Sequence, residues 1–390
     1  MATAEATSTA ISICNPTKDF KNTNSDRNEN DHESMLLLPG LPNHLAQLCL
    51  SSLHPSLLHA VCRSWRRLIY SPSFPPFFSL YALLSPTIHH HQQYSKSIEF
   101  FSLDPVSSAW RRLPSPPPPL CLLHRHPSFI SRTLPIQSLT VAGRLVLIAA
   151  TDDQFLPAVS SPLVFDPLSN SNHWFYGPPL PTPRRWCAAG SMGSAIYVAS
   201  GIGSHYQSEV ARSMEKWDMN KKDGEWKWEK MAALKDSSFS REDVQAIGYR
   251  GKLCMVNVKG KSVKQGSVYD VAKDQWEHMP EGMLAGWSGA VAATVDGGDE
   301  MFVVDEERGE LRKYDADNDT WEVVLEELEL LKGAEQIVAG RGRVCAVCGG
   351  GGRIVVVDVA ARPPRTWVVN PPPEMELVGV HILPRVSLSE

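Results

Sequence analysis

Apolar positions along the chain follow two different periods. Between residues 35 and 78, Leu45, Leu48 and Cys49 recur at helical spacing, as do Leu57, Leu58, Val61, Trp65 and Leu68. This pattern predicts two or three short amphipathic helices. Pro42 lies just before the first, Pro55 can open the next, and Pro72, Pro75 and Pro76 stop the last. From about residue 98 the helical period gives way to short strand-like runs separated by Gly, Pro, Asn and Asp. The longest apolar runs, such as Leu145 to Ala150, fall far short of the roughly 20 residues that cross a bilayer, so no membrane span is expected.

The strand-rich part repeats. An apolar or aromatic residue followed by Asp precedes a Trp, with six to ten residues from Asp to Trp. The pairs are Leu103-Asp104 with Trp110, Phe165-Asp166 with Trp174, Trp217-Asp218 with Trp228, Tyr269-Asp270 with Trp276, Tyr314-Asp315 with Trp321 and Val357-Asp358 with Trp367. The successive Trp residues lie 64, 54, 48, 45 and 46 apart. A period near 50 built from short strands is that of a propeller blade. In such a unit the ring before the Asp packs between neighbouring sheets, and the Asp starts a turn by accepting from backbone N–H groups two residues on. The Trp anchors the outer strand and fills the widening gap between radiating sheets. The spacing resembles kelch repeats, with SVYDVAKDQWEHMP and LRKYDADNDTWEVV the best matches. Ser200-Gly201-Ile202-Gly203 and Gly349 to Gly352 stand where kelch repeats carry a double glycine. The expected fold is therefore mainly β, a six-bladed kelch-type β-propeller over residues 79–390 preceded by a small α-helical domain.

The first blade is one strand short at the N-terminal side. Residues 77–84, 97–103 and the Trp110 segment supply three strands, whereas residues 375–384, MELVGVHILP, form a strand with no partner of its own. Pairing that strand into the first blade closes the ring and leaves no open edge. The helical domain then hangs from the closing blade.

Charge sharpens this division. Residues 1–34 carry three basic and six acidic groups and too little apolar content to fold alone, so a disordered tail is expected there. Residues 35–97 contain no acid and are +4, while the remainder is near −6. A basic module thus sits between an acidic tail and an acidic body, and it favours an acidic neighbour. The first 30 residues lack the basic-then-apolar order of a secretory signal, and eight scattered cysteines suit reduced thiols. Cytoplasmic and/or nuclear localisation is expected.

Within the basic module, Leu41-Pro42, Leu45, Leu48-Cys49-Leu50 and Val61-Cys62-Arg63-Ser64-Trp65-Arg66 resemble an F-box over residues 38–78. The resemblance implies docking to a Skp-type adaptor, and through it to a cullin scaffold and a ubiquitin-charged conjugating enzyme. The adaptor-binding residues expected on the apolar face are Leu41, Pro42, Leu45, Leu48, Val61 and Trp65. Taken with the kelch repeats, it implies an F-box/kelch-repeat substrate receptor of an SCF-type ubiquitin ligase, which holds a protein substrate for ubiquitination without catalysing anything itself. Residues 35–78 could alternatively be a helical cap on the larger domain.

Signatures of catalysis are scarce. No Walker or dinucleotide glycine loop occurs, and no Gly-x-Ser-x-Gly elbow. Gly349 to Gly352 lies between two strand runs with no helix after it and reads as a hairpin turn. Cys345 and Cys348 would point to opposite faces of a strand, and Cys121, His124, His126 and His89 to His91 sit in Pro-rich connections without acidic partners. No catalytic residue, cofactor or metal is expected, and no nucleic-acid or membrane partner. Recognition is expected from the loops at one mouth of the ring. Alignment on the Trp anchors places Ser131-Arg132, Arg184-Arg185-Trp186, Ser240-Arg241-Glu242 and Gly286-Trp287 at matching positions before inner strands. Arg132, Arg185, Trp186, Arg241 and Trp287 are therefore candidate substrate contacts, since Arg forks suit carboxylate or phosphate and exposed Trp anchors interfaces. The alternative is structural: such Arg residues pair with acids of a neighbouring blade. A propeller enzyme (hydrolase or oxidase) and a kelch scaffold without ubiquitination are the competing functions.

Overall fold

A computed structural model describes residues 37–51, 53, 55–71, 74, 77–87, 95–105, 107–117, 121–123, 136–152, 154–169, 173–240, 244–257, 264–295 and 299–385. The tail expected to be disordered, Arg132, Arg241, His89 to His91, His124 and His126 lie outside these residues.

Three helices open the described chain: α1 (Asn43–Ser51), α2 (Pro55–Val61) and α3 (Arg63–Tyr70). Proline opens α2, where its missing N–H has no intrahelical partner to lose. Cys62 caps α3, its Sγ accepting from the Trp65 N–H at 3.5 Å, which also holds the thiol below its ordinary pKa. Leu50, Leu58, Leu68, Ile69 and Phe74 form the core of this module, with Leu37, Leu38, Trp65 and Phe77 against it.

Six four-stranded antiparallel sheets follow, numbered here as blades 1 to 6. Their innermost strands are Met375–Pro384, Ile136–Val141, Ala188–Met192, Val244–Tyr249, Val291–Ala293 and Gln336–Gly340. Each inner strand neighbours the next, and that of blade 6 returns to that of blade 1, so the ring is closed. A channel of about 500 Å³ runs down its middle. The closing strand enters as expected: Met375–Pro384 pairs antiparallel with Phe78–Pro86, with Leu80 opposite Ile382. Its last eight residues are buried. The four-glycine run is the hairpin between Arg343–Cys348 and Arg353–Asp358. Gly351 there has φ +83°, and a Cβ on it would lie 2.4 Å from the Leu377 carbonyl oxygen, so only glycine lets this turn touch the closing strand.

The repeat residues behave alike in successive blades. Phe165, Trp217, Tyr269, Tyr314 and Val357 are buried. The Asp after each accepts from the N–H two residues on, at 3.0 Å for Asp166, Asp218 and Asp270, 2.9 Å for Asp315 and 3.1 Å for Asp358. In blade 1, Asp104 instead accepts from Ser107 Oγ at 2.9 Å and pairs with Arg111 and Arg385. Cys345 and Cys348 fall in separate apolar clusters on opposite faces of their strand.

Up-and-down connection of the strands sorts the loops between two mouths. Turns from inner to second strand and from third to outer strand gather at one mouth. There the chain enters at Phe78 and leaves at Pro384. The loops that link blades, and those from second to third strand, gather at the other.

Candidate functional site

The helical module presents an apolar face to solvent. Leu45 is 41% exposed, Leu48 59%, Leu57 59% and Val61 58%. The helical spacing of Leu45, Leu48 and Cys49 therefore marks an outward face, while Ala46 and Leu50 turn inward. Pro42 is exposed beside this face and Leu41 is half-buried. Trp65 does not join it: its ring packs on the module's core and its indole N–H donates to the Leu37 carbonyl at 3.2 Å. Leu57 belongs to the face but was not among the candidates, because helical spacing alone groups it with buried Leu58. The Arg63, Arg66 and Arg67 side chains on α3 are exposed and give the module its positive charge.

Among the described residues, Arg385 joins this module to the ring. The Arg385 N–H donates to the Phe77 carbonyl at 2.8 Å. The Arg385 guanidinium lies 5.1 Å from the centre of the Phe77 ring and 3.3 Å from Asp104 Oδ1. Phe77 itself packs on the helical core, so one arginine touches the module, the closing strand and blade 1.

At the opposite mouth, the loop before blade 3 carries Arg184-Arg185-Trp186. Arg184 is a brace: it pairs with Glu215 at 2.9 Å and donates to Ser213 Oγ at 2.8 Å and to the Ser200 carbonyl at 3.2 Å. Arg185 exchanges two 2.9 Å backbone hydrogen bonds with Ile202, and Gly201 is needed beside it because a Cβ there would come within 2.9 Å of the Arg185 carbonyl oxygen. The Arg185 guanidinium stacks 4.4 Å over the Trp186 ring, and its Nε and Nη1 are buried without a hydrogen-bond partner. Burial lowers its pKa from the ordinary arginine range, and the field of Asp152 offsets this in part. Trp186 has φ +53°, a left-handed conformation that costs a bulky residue of order 1–3 kcal/mol. Next to this loop a pocket of about 310 Å³ is lined by Ser160, Thr182, Ser204, His205 and Gln207. The whole offers a cation, an indole ring and hydroxyl and amide groups to an anionic segment.

Trp287 is not part of that surface. It is fully buried and its indole N–H donates to Gln245 Oε1 at 2.8 Å. The short helix Glu281–Gly286 just before it turns the ring inward. Among the described residues no group of three or more His, Cys, Asp or Glu could hold a metal ion, and no helix is long and apolar enough to cross a membrane.

No family model matches the chain. It is 51% identical over 366 residues, 91% of either chain, to the F-box/kelch-repeat protein SKIP25 of Arabidopsis thaliana. The chain belongs to the F-box/kelch-repeat family. The F-box protein AFR of the same plant is 26% identical, covering 73% of each chain. F-box/kelch-repeat protein SKIP20, also from Arabidopsis thaliana, is 25% identical over 81% of this chain and 87% of its own. The F-box in this family member is the module of α1 to α3, and the kelch repeats are the six blades.

Proposed function

We propose that this F-box/kelch-repeat protein is the substrate-recognition subunit of an SCF-type ubiquitin ligase. Its F-box docks a Skp-type adaptor, and through it a cullin, while the propeller holds the protein substrate. It performs no chemistry itself. Its contribution is effective concentration: a substrate lysine held near a charged conjugating enzyme reacts as if intramolecular. The observation that carries this reading is the exposure of Leu45, Leu48, Leu57 and Val61 on α1 and α2, apolar side chains that call for a partner to cover them.

Substrate binds, in this reading, at the mouth away from the F-box, where Arg185 and Trp186 receive an acidic or phosphorylated segment. The test is capture of a Skp-type adaptor by the full chain. Changing Leu48 and Val61 to Asp should abolish capture while leaving thermal unfolding of the propeller unchanged. Undiminished capture by this double variant refutes the docking face.

A further inference from the structure

Lysine and arginine are divided between two arcs of the ring. Of the chain's 16 lysines, 13 fall within residues 216–332, which run from the third strand of blade 3 through blade 5. That stretch has four arginines. The remaining residues from 35 on, 35–215 and 333–390, have 17 arginines and a single lysine, Lys96. In the closed ring these residues form the F-box, blade 1 from which it hangs, both neighbours of blade 1 (blades 6 and 2) and the inner half of blade 3. The lysine-bearing arc is centred on blade 4, diametrically opposite blade 1.

Local packing accounts for part of the arginine. Arg341, Arg343 and Arg385 stack on Phe78, Trp367 and Phe77, a role lysine fills poorly. Arg112 and Arg144 have no such need, since they pair with Glu99 and Asp166, and Arg362 and Arg365 are exposed. The first residue of the second strand makes the point: Arg144 in blade 2 pairs with Asp166, and in blade 4 the equivalent Lys252 pairs with the equivalent Asp270. Either cation holds the position, and arginine stands on the F-box side.

The chemical difference between them is acylation. A lysine Nζ that loses its proton can attack the thioester carbonyl at the ubiquitin C-terminus; the C–N isopeptide bond forms, the C–S bond breaks, and the enzyme's thiol leaves with a proton. The guanidinium stays protonated and does not react. We infer that the arc formed by the F-box and blades 6, 1 and 2 is the side of the receptor turned toward the ubiquitin-charged enzyme, and that arginine there keeps the receptor from being modified in place of its substrate.

The inference rests on the proposed ligase role, so adaptor–cullin capture by the full chain is measured first, by gel filtration. No capture refutes that role. The assembled complex is next supplied with activating enzyme, conjugating enzyme, ubiquitin and ATP, and modified lysines are mapped by mass spectrometry. Arg112→Lys, Arg144→Lys and Arg365→Lys place amines on the arginine arc at unchanged charge, and Arg250→Lys and Arg308→Lys are the controls on blades 4 and 5. Each amine on the arginine arc should carry at least about tenfold more ubiquitin than either control, because transfer depends on reach. An assembled complex that labels both sets equally, labels the lysines of residues 216–332 first, or labels none of the introduced amines overturns the inference and leaves the ligase role standing.

Discussion

The indole N–H of Trp276 in blade 4 donates to the carbonyl of Ala232, 2.8 Å away at the exit of blade 3. The same latch recurs around the ring. Trp110 reaches Asn370, Trp174 reaches Pro114, Trp228 reaches Pro178, and Trp321 reaches Gly282, each spanning from one blade to the blade before it. The repeat tryptophan therefore ties neighbouring sheets by a polar bond as well as by ring volume. Trp367 departs from this, being 41% exposed and stacked with Arg343.

Replacing Trp276 by Phe keeps an aromatic ring but leaves the Ala232 carbonyl without its donor. A loss of about 1–2 kcal/mol is expected in chemical denaturation. Trp367→Phe should cost under about 0.5 kcal/mol, as surface changes usually do. Equal losses for the two would mean that the latch contributes nothing.

Ending the chain at Pro373 removes the inner strand of blade 1. Because that strand closes the ring, its loss should abolish the cooperative melting transition of the whole propeller. A truncated protein that melts within a degree or two of full length, by differential scanning calorimetry, would show the strand to be an appendage.

His381 on the closing strand is buried, with Nε2 2.9 Å from Ser138 Oγ and Nδ1 3.3 Å from Thr140 Oγ1 on blade 2. Burial pushes its pKa down to about 4, below the ordinary 6.5. The unfolded chain therefore binds this proton more readily than the folded one. Stability from this group is complete above pH 6.5 and is lost as pH falls toward 4, by about 3 kcal/mol in all. Denaturation midpoints of His381→Gln should be flatter across that window than those of the natural chain; an unchanged pH slope would assign the effect to other groups.

Arg184 and Arg185 should separate cleanly. Arg184→Ala leaves Glu215 buried without its cation and is expected to cost about 3–5 kcal/mol of stability. Arg185→Ala should leave the melting temperature nearly unchanged and weaken capture of acidic or phosphorylated peptides by roughly 1–3 kcal/mol, with adaptor capture intact. If Arg185→Ala loses stability and adaptor capture together, Arg185 is a brace and recognition lies elsewhere.

Features set by near neighbours in the chain were legible from residue order. The Asp turns and the rings before them follow from one hairpin each, so Tyr269-Asp270 and Tyr314-Asp315 announce their own geometry. The unpaired strand at residues 375–384 pointed to ring closure because an open sheet edge is unstable. Contacts between residues far apart along the chain were not legible in the same way. Whether Arg184 or Arg185 pairs with an acid depends on Glu215, about 30 residues on, and nothing local to Trp287 reports that Gln245 receives its N–H. On α1, spacing identified an apolar face without saying whether protein or solvent lies against it.

Ring closure by Met375–Pro384 also sets an order of events during synthesis. The F-box leaves the ribosome about 300 residues ahead of the strand that completes blade 1, a delay of roughly 15–60 s at 5–20 residues per second. Through that interval blade 1 has three of its four strands, and the row of backbone groups along Phe78–Pro86 that will meet the last strand stands open. The newborn chain is most exposed to pairing with the wrong partner at the very blade that carries its F-box.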